Sequence, residues 1–322
     1  MPAIEVQNLK KYFGKIHALD DVSFSVDEGE VFGFLGPNGA GKTTTIRCLM
    51  NFIKPTSGDI KIFGLDAQKK STIVKNHLGY LSGDVRLYDN WTGRDHILFL
   101  EKLRKKRSIA RDLIVKLNFD PHIKFKNLSS GNKQKLGLIL ALMFEPKLMI
   151  MDEPTLGLDP LLQNAIYKIL DELKKKGSTI FISSHNLIEV ERICDRVGII
   201  KDGKIVAIES IESLIEKRIH TARVRFNGQF SKDAFNIDGM EVQQELSDGL
   251  ILGIHGNINL LIKKLSEYDI KELEISHASL EEIFLEYYGG VGRSAQKQNK
   301  FEEDKSVLIT QNDLNEVPKL KE

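Results

Sequence analysis

Within eight residues, Gly36-Pro37-Asn38-Gly39-Ala40-Gly41-Lys42-Thr43, the chain sets three glycines, one lysine and one hydroxyl. The spacing G-x-x-x-x-G-K-T suits the holding of a polyphosphate. Several negative charges must be met without side-chain bulk, so glycines let backbone N–H groups converge and the start of the next helix adds its positive dipole end. Lys42 reaches the β- and γ-phosphates, and the Thr43 hydroxyl is placed for Mg²⁺. Such a loop needs a strand before it and a helix after it. Val31 to Leu35 is an apolar run that reads as a buried strand, and Thr44 to Asn51 reads as the helix.

A second group of reactive side chains lies far along the chain. Leu148-Met149-Ile150-Met151-Asp152-Glu153 reads as an apolar strand ending in two carboxylates. A strand of that composition fits a parallel sheet covered on both faces, and its carboxyl end is where α/β sheets bind ligands. Paired acids in that place call for a cation or a proton. Asp152 is assigned to the Mg²⁺ shell and Glu153 to a water. His185 follows a further strand, Thr179 to Ser183, in the same layer, which puts it in reach of the γ-phosphate. Tyr12, about two dozen residues before the P-loop, offers either edge packing or a flat surface for a purine.

The rest of the chain has to position these groups. At 322 residues it is long enough for two domains. Its 41% hydrophobic and 28% charged residues are those of a soluble globular protein, and 46 basic against 45 acidic residues leave a net charge of +1. That balance gives no general electrostatic reason to bind nucleic acid or anionic lipid, so membrane association needs a specific docking surface. The two cysteines, Cys48 and Cys194, are far apart and in no metal-ligand spacing; a reducing compartment is expected. No segment approaches the ~18 apolar residues of a membrane span. Met1 to Glu5 lacks the charged head and apolar run of a secretory signal.

Ile4, Val6 and Leu9, then Val22, Phe24 and Val26, alternate with polar residues and predict two antiparallel strands ahead of the P-loop strand. Short strands are expected at Asp59 to Phe63 and Leu78 to Leu81. Thr92 caps a helix whose basic end, Lys102 to Arg107, suits the macrodipole and is read as solvated. Residues 85–128 read as a helical insert. Leu128-Ser129-Ser130-Gly131-Asn132 opens a helix that stops before Pro146; beyond the Asp-Glu strand follow helix Leu161 to Lys176, helix Leu187 to Ile193 and strand Val197 to Lys201. From about Ile211 the pattern becomes a small α+β domain, with strands Ala222 to Phe226, Met240 to Glu245, Leu250 to Ile254 and Leu273 to Ile275 and helices Asn257 to Glu267 and Leu280 to Tyr288. Ser279 and Glu282 form a capping box for the last helix. Gly289 to Glu322 reads as a disordered tail.

With the P-loop, the Ser-Gly turn, the Asp-Glu strand and the strand-end histidine in this order, the chain resembles the ATP-binding subunit of an ABC transporter. The resemblance implies an α/β P-loop cassette over residues 1–218: a mainly parallel sheet, an antiparallel β subdomain and the helical insert. It implies ATP hydrolysis with Mg²⁺ and a sandwich of two cassettes. The expected partners are a second cassette, identical or homologous, and an integral membrane permease, with the protein cytoplasmic on the inner face of the membrane. Tyr12 resembles the aromatic that stacks on adenine, and Gly36 to Thr44 the Walker A segment, with Asn38, Gly39, Ala40, Gly41, Lys42, Thr43 and Thr44 around the phosphates. Ser129 and Gly131 match the signature residues that contact ATP bound by the second subunit. Asp152 and Glu153 match the Walker B aspartate and the general base, Asp159 the loop that crosses the dimer interface, and His185 the switch histidine.

Two departures stand out. Ser130 and Asn132 replace the usual second glycine and final glutamine of the signature. Gly83 occupies the place of a glutamine that normally offers an oxygen to Mg²⁺, which leaves Asp84 as the substitute ligand. Ala278-Ser279-Leu280-Glu281-Glu282-Ile283-Phe284 resembles the accessory domain of bacterial drug, antibiotic and sodium exporters, so residues 219–288 are expected as that domain and export is favoured over import. A soluble ABC-type clamp on nucleic acid or the ribosome is the rival, but it usually has two cassettes or a long coiled coil, and neither is present. A GTPase would need Asn-Lys-x-Asp, and Asn132-Lys133-Gln134-Lys135 lacks the aspartate.

Overall fold

The computed structural model describes residues 1–106, 108–216, 220–254 and 258–277. The chain begins with long strands β1 (Pro2–Phe13) and β2 (Ile16–Asp27), then the wholly buried β3 (Val31–Leu35), helix α1 (Lys42–Leu49) and strands β4 (Ser57–Ile62) and β5 (Leu65–Asp66). Helix α2 (Ser71–Lys75) and strand β6 (Leu78–Leu81) lead to the helical region of α3 (Gly93–Arg104), α4 (Ala110–Lys116) and α5 (Ser130–Leu142). Next come β7 (Leu148–Asp152), α6 (Pro160–Lys175), β8 (Thr179–Ser184), α7 (Leu187–Ile193), β9 (Arg196–Lys201), β10 (Lys204–Ser210) and α8 (Ile211–Glu216). The last described elements are β11 (His220–Phe226), β12 (Met240–Leu246), β13 (Gly249–Ile254), α9 (Asn259–Leu265) and β14 (Ile270–His277).

These strands form three sheets, of order β2-β1-β4-β5, β10-β9-β3-β8-β7-β6 and β12-β13-β11-β14. The first is antiparallel. The second is parallel from β9 to β6, with β10 antiparallel at its edge. The third is antiparallel throughout. The expected mainly parallel sheet with an antiparallel companion and a later α+β unit is therefore what folds.

The alternation of β3 decides how the layers meet. Phe32 and Phe34 project into a core shared with Phe24 of β2, Phe181 of β8 and Ile46 and Leu49 of α1. The Phe24 ring lies 5.4–5.8 Å from those of Phe32, Phe34 and Phe181, inside the range of favourable aromatic pairs. On the opposite face of the strand, Gly33 lets α7 approach so closely that an added Cβ would stand 2.9 Å from Cys194 Sγ. Gly79 of β6 does the same for α5, since a Cβ there would overlap the Ala141 carbonyl.

Thr92 caps α3 as expected, in a reciprocal capping box with Asp95. Other boundaries differ from the sequence reading. Helix α1 begins at Lys42 rather than Thr44, because Gly41 at φ +112° turns the loop straight into the helix. The hairpin β9–β10 and helix α8 were not anticipated. Its turn, Asp202-Gly203, has φ +48° and +75°, the conformation that Asp-Gly favours in two-residue hairpins. Asn257, the helix Leu280 to Tyr288, its Ser279–Glu282 box and residues 289–322 lie outside the described residues.

Gly79→Ala is expected to lower the unfolding free energy by about 1–3 kcal/mol, because the methyl meets backbone that can move only with α5. Gly228→Ala, with open space around it, should stay within about 0.5 kcal/mol of the parent. Urea unfolding of the two variants checks the contrast.

Candidate nucleotide site

The P-loop leaves the carboxyl end of β3, and the acids and the histidine leave the ends of β7 and β8. Because β8 lies between β3 and β7, with Leu35 beside Ser184 and Asp152 beside Ser183, the three chain exits share one edge of the sheet. Gly39 and Gly41 have φ +84° and +112°, where a side chain would strain the backbone. An added Cβ on Gly36 would stand 2.5 Å from the Ile200 carbonyl, so this glycine is required by the loop's own packing. Gly41 is the N-cap of α1 and gives it no side-chain cap, which leaves the helix start to an anion.

Lys42 is 5% exposed. Its ammonium donates to the carbonyls of Gly36 at 2.6 Å and Pro37 at 3.2 Å and pairs with Glu153 Oε1 at 3.1 Å. The other carboxylate oxygen of Glu153 lies 3.1 Å from His185 Nδ1. One carboxylate thus bridges the P-loop lysine and the strand-end histidine. Glu153 adopts φ +46°, a conformation uncommon outside glycine and asparagine. Its backbone N–H holds the turn by donating to both the carbonyl and the hydroxyl of Ser183, each at 3.1 Å. The Ser183 hydroxyl in turn donates to buried Asp152 at 2.5 Å.

Mg²⁺ keeps several waters and takes only one or two carboxylates beside substrate phosphates. Among the described residues no group of three or more His, Cys, Asp or Glu side chains is placed to hold a metal. Asp152, whose carboxylate accepts from the Ser183 hydroxyl, and Thr43 in the first turn of α1 are a donor set of hard oxygens that fits this ion. The Asp84 carboxylate is on the surface, held by Arg86 at 2.7 Å. It is Gly83 that lies against the acids, where an added Cβ would be 2.9 Å from the Asp152 carbonyl oxygen.

Tyr12 is half-buried on β1, its ring stacked on His17 at 4.0 Å and 19°. Its hydroxyl donates to Asp20 at 2.9 Å, and that bond, with burial, pushes the phenol pKa up. Asn38 and Gly39 are exposed, Ala40 is buried, and Thr44 is half-buried on α1. Ser129 is exposed and caps α5 through the Asn132 N–H at 3.3 Å. A Cβ on Gly131 would make only an ordinary 3.6 Å contact with Leu162, so nothing among the described residues requires a glycine there. Asp159 caps α6, accepting from the Leu162 N–H at 3.0 Å.

Sequence reasoning missed the polar residues behind this cluster. Ser183 and Ser184 end a strand whose other residues include a fully apolar run, and both are buried; a pair of hydroxyls there was the available signal. Buried Gln134 of α5 donates to the Pro154 carbonyl at 3.0 Å, directly after Glu153. Nothing in its local pattern marked it.

The profile described as ABC transporter matches residues 19–156. The bacitracin transport ATP-binding protein of Bacillus licheniformis is 36% identical over 302 aligned positions, with 89% of this chain and 97% of that protein covered. The linearmycin resistance ATP-binding protein of Bacillus subtilis (strain 168) is 30% identical over 305 aligned positions, with 89% of this chain and 98% of the relative covered. A dimeric structure of a bacterial ABC transporter cassette superposes with a TM-score of 0.58 at 26% identity, covering 65% of this chain and 98% of that one. The chain belongs to the ABC transporter family, as an ATP-binding subunit that hydrolyses ATP to drive transport.

Proposed function

We propose that Lys42, Glu153 and His185 carry the hydrolysis, with Glu153 aligning and deprotonating the water that attacks the γ-phosphate. The observation that carries this reading is the Glu153 carboxylate shared between the Lys42 ammonium and the His185 imidazole. A γ-phosphate entering the P-loop competes for the hydrogen bonds of both side chains and frees a carboxylate oxygen for the water. Lys42 then offsets charge on the transferring group, and His185 holds it from the side of β8. Thr43 and Asp152 would hold Mg²⁺, which supplies further charge neutralisation at the phosphates. Gly36, Asn38, Gly39, Ala40, Gly41 and Thr44 line the phosphates, and Tyr12 receives adenine.

Ser129, Gly131 and Asp159 act in this reading on the nucleotide of a second cassette. The exposure of Ser129 and Asp159 and the exposed apolar side chains Leu156, Leu161 and Ile188 support a two-cassette sandwich, as does the dimeric relative. The partner in the membrane is a permease, consistent with the exposed Phe52, Tyr88, Phe99 and Leu103, and the subunit works at the inner face of the membrane. Among the described residues no helix is long and apolar enough to cross it. The transport and resistance named for the relatives support export of an antibiotic-like compound. Residues 1–218 form the cassette in this proposal, 219–288 an accessory domain and 289–322 a tail.

Glu153→Gln is expected to keep ATP binding while slowing hydrolysis by ~10²–10⁴ and accumulating a dimer with ATP and Mg²⁺; gel filtration and phosphate release report both, and a monomer with parental turnover would count against the base and the sandwich together. At the neighbouring loop, Gly83→Ala should reduce turnover more than Asp84→Ala, because the methyl presses on Asp152 whereas Asp84 is engaged by Arg86. The reverse order, with a raised Mg²⁺ requirement for Asp84→Ala, would instead make Asp84 a metal ligand. A chain ending near Arg218 should bind ATP with near-normal affinity in equilibrium dialysis, since every assigned nucleotide residue lies between Tyr12 and His185.

A further inference from the structure

Glu189 of α7 is 2% exposed and takes no part in the chemistry assigned above. A carboxylate that deep costs several kcal/mol unless it is paired. Its two partners are hydroxyls. Thr155 Oγ1 donates to one carboxylate oxygen at 2.9 Å, and Ser184 Oγ donates to the other at 2.6 Å. Burial pushes the Glu189 pKa up, and these two bonds oppose that rise. An apolar triad of the same volume would fill this space with less desolvation.

The partners sit at telling places in the chain. Thr155 is two residues after Glu153, and Ser184 immediately precedes His185. The Thr155 segment is held from two other sides, by Gln134 at the Pro154 carbonyl and by Gln163 at the Leu158 carbonyl at 3.1 Å. Ser184 is held by its own turn, where its hydroxyl accepts from the Asn186 N–H at 2.9 Å. The segments that carry Glu153 and His185 therefore meet at one carboxylate on a third element.

We propose that Glu189 is a positioning residue for ATP hydrolysis: by accepting from Thr155 and Ser184 together, it fixes the backbone after Glu153 relative to the backbone before His185. The Glu153–His185 contact of 3.1 Å is then set from behind, through main chain, as well as by the two side chains. The proposal rests on the roles given to Glu153 and His185.

The test uses the full chain and removes the hydroxyl without changing shape. Thr155→Val should lower kcat for ATP about tenfold and leave KM within about twofold, while Thr155→Ser, which restores the hydroxyl, recovers most of the rate. The double variant Thr155→Val/Glu189→Leu replaces the buried polar contact by an apolar one and should unfold no earlier than the parent in urea, yet remain as slow as Thr155→Val. If the double variant regains parental kcat, or if Thr155→Val never loses it, the contact serves only packing and the proposal is overturned. Glu153→Gln assayed in parallel separates the two levels: parental turnover in that variant removes the reading of the site, whereas its loss beside an active Thr155→Val removes the role of Glu189 alone.

Discussion

Three parallel strands ending at one level is the constraint on which the site depends, and β8 is the strand that sets it. Phe181 of β8 stacks with Phe24, Phe32 and Phe34 on one face, and Ser183, two residues on, points from the same face. A slip of one residue would turn Phe181 out of the aromatic core. It would also remove the Ser183 hydroxyl from between Asp152 and the Glu153 N–H. The packing that pins the register and the hydrogen bonds that shape the acid turn are therefore one arrangement, and β3 and β7 are brought to it by pairing on either side.

The same edge collects charges that are costly to bury singly. Lys42, Asp152 and Glu189 are all buried, and each is accommodated differently. Lys42 has two carbonyls and a carboxylate, Asp152 has a serine hydroxyl, and Glu189 has two hydroxyls and no cation among its hydrogen bonds. An anion in the P-loop would find a lysine already held at the loop, so little side-chain entropy remains to be lost on binding. The left-handed turn at Glu153 fits this picture, since a strained backbone persists only where its surroundings over-determine it.

Residues 220–254 and 258–277 have an apolar centre of their own, with Val224, Phe235, Leu252 and Leu261 among its fully buried side chains. None of the residues that the proposal assigns to the nucleotide comes from it. Lys42, Glu153 and His185 form one connected cluster, whereas Ser129, exposed, and Gly131, half-buried, lie at the start of α5. In the proposed reading these two serve the nucleotide of a second cassette.

The glycine-rich loop, the acid pair and the strand-end histidine could each be located in local order, because each is a short stretch at the end of an apolar strand, and pairing brings those strand ends to one edge of the sheet. The parallel strands were legible too, since a strand covered on both faces must be apolar throughout, as Val31 to Leu35 and Leu148 to Met151 are. The Asp202-Gly203 turn carried the signal for β10 and was available to be read. What no local pattern holds is which polar groups meet across elements. Glu153 joins Lys42 and His185 across separations of 111 and 32 positions in numbering, Glu189 joins Thr155 to Ser184, and Asp84 turns to Arg86 while Gly83 packs on Asp152. Those outcomes follow from strand order, sheet register and the close approach that glycines permit, and only the folded chain decides them.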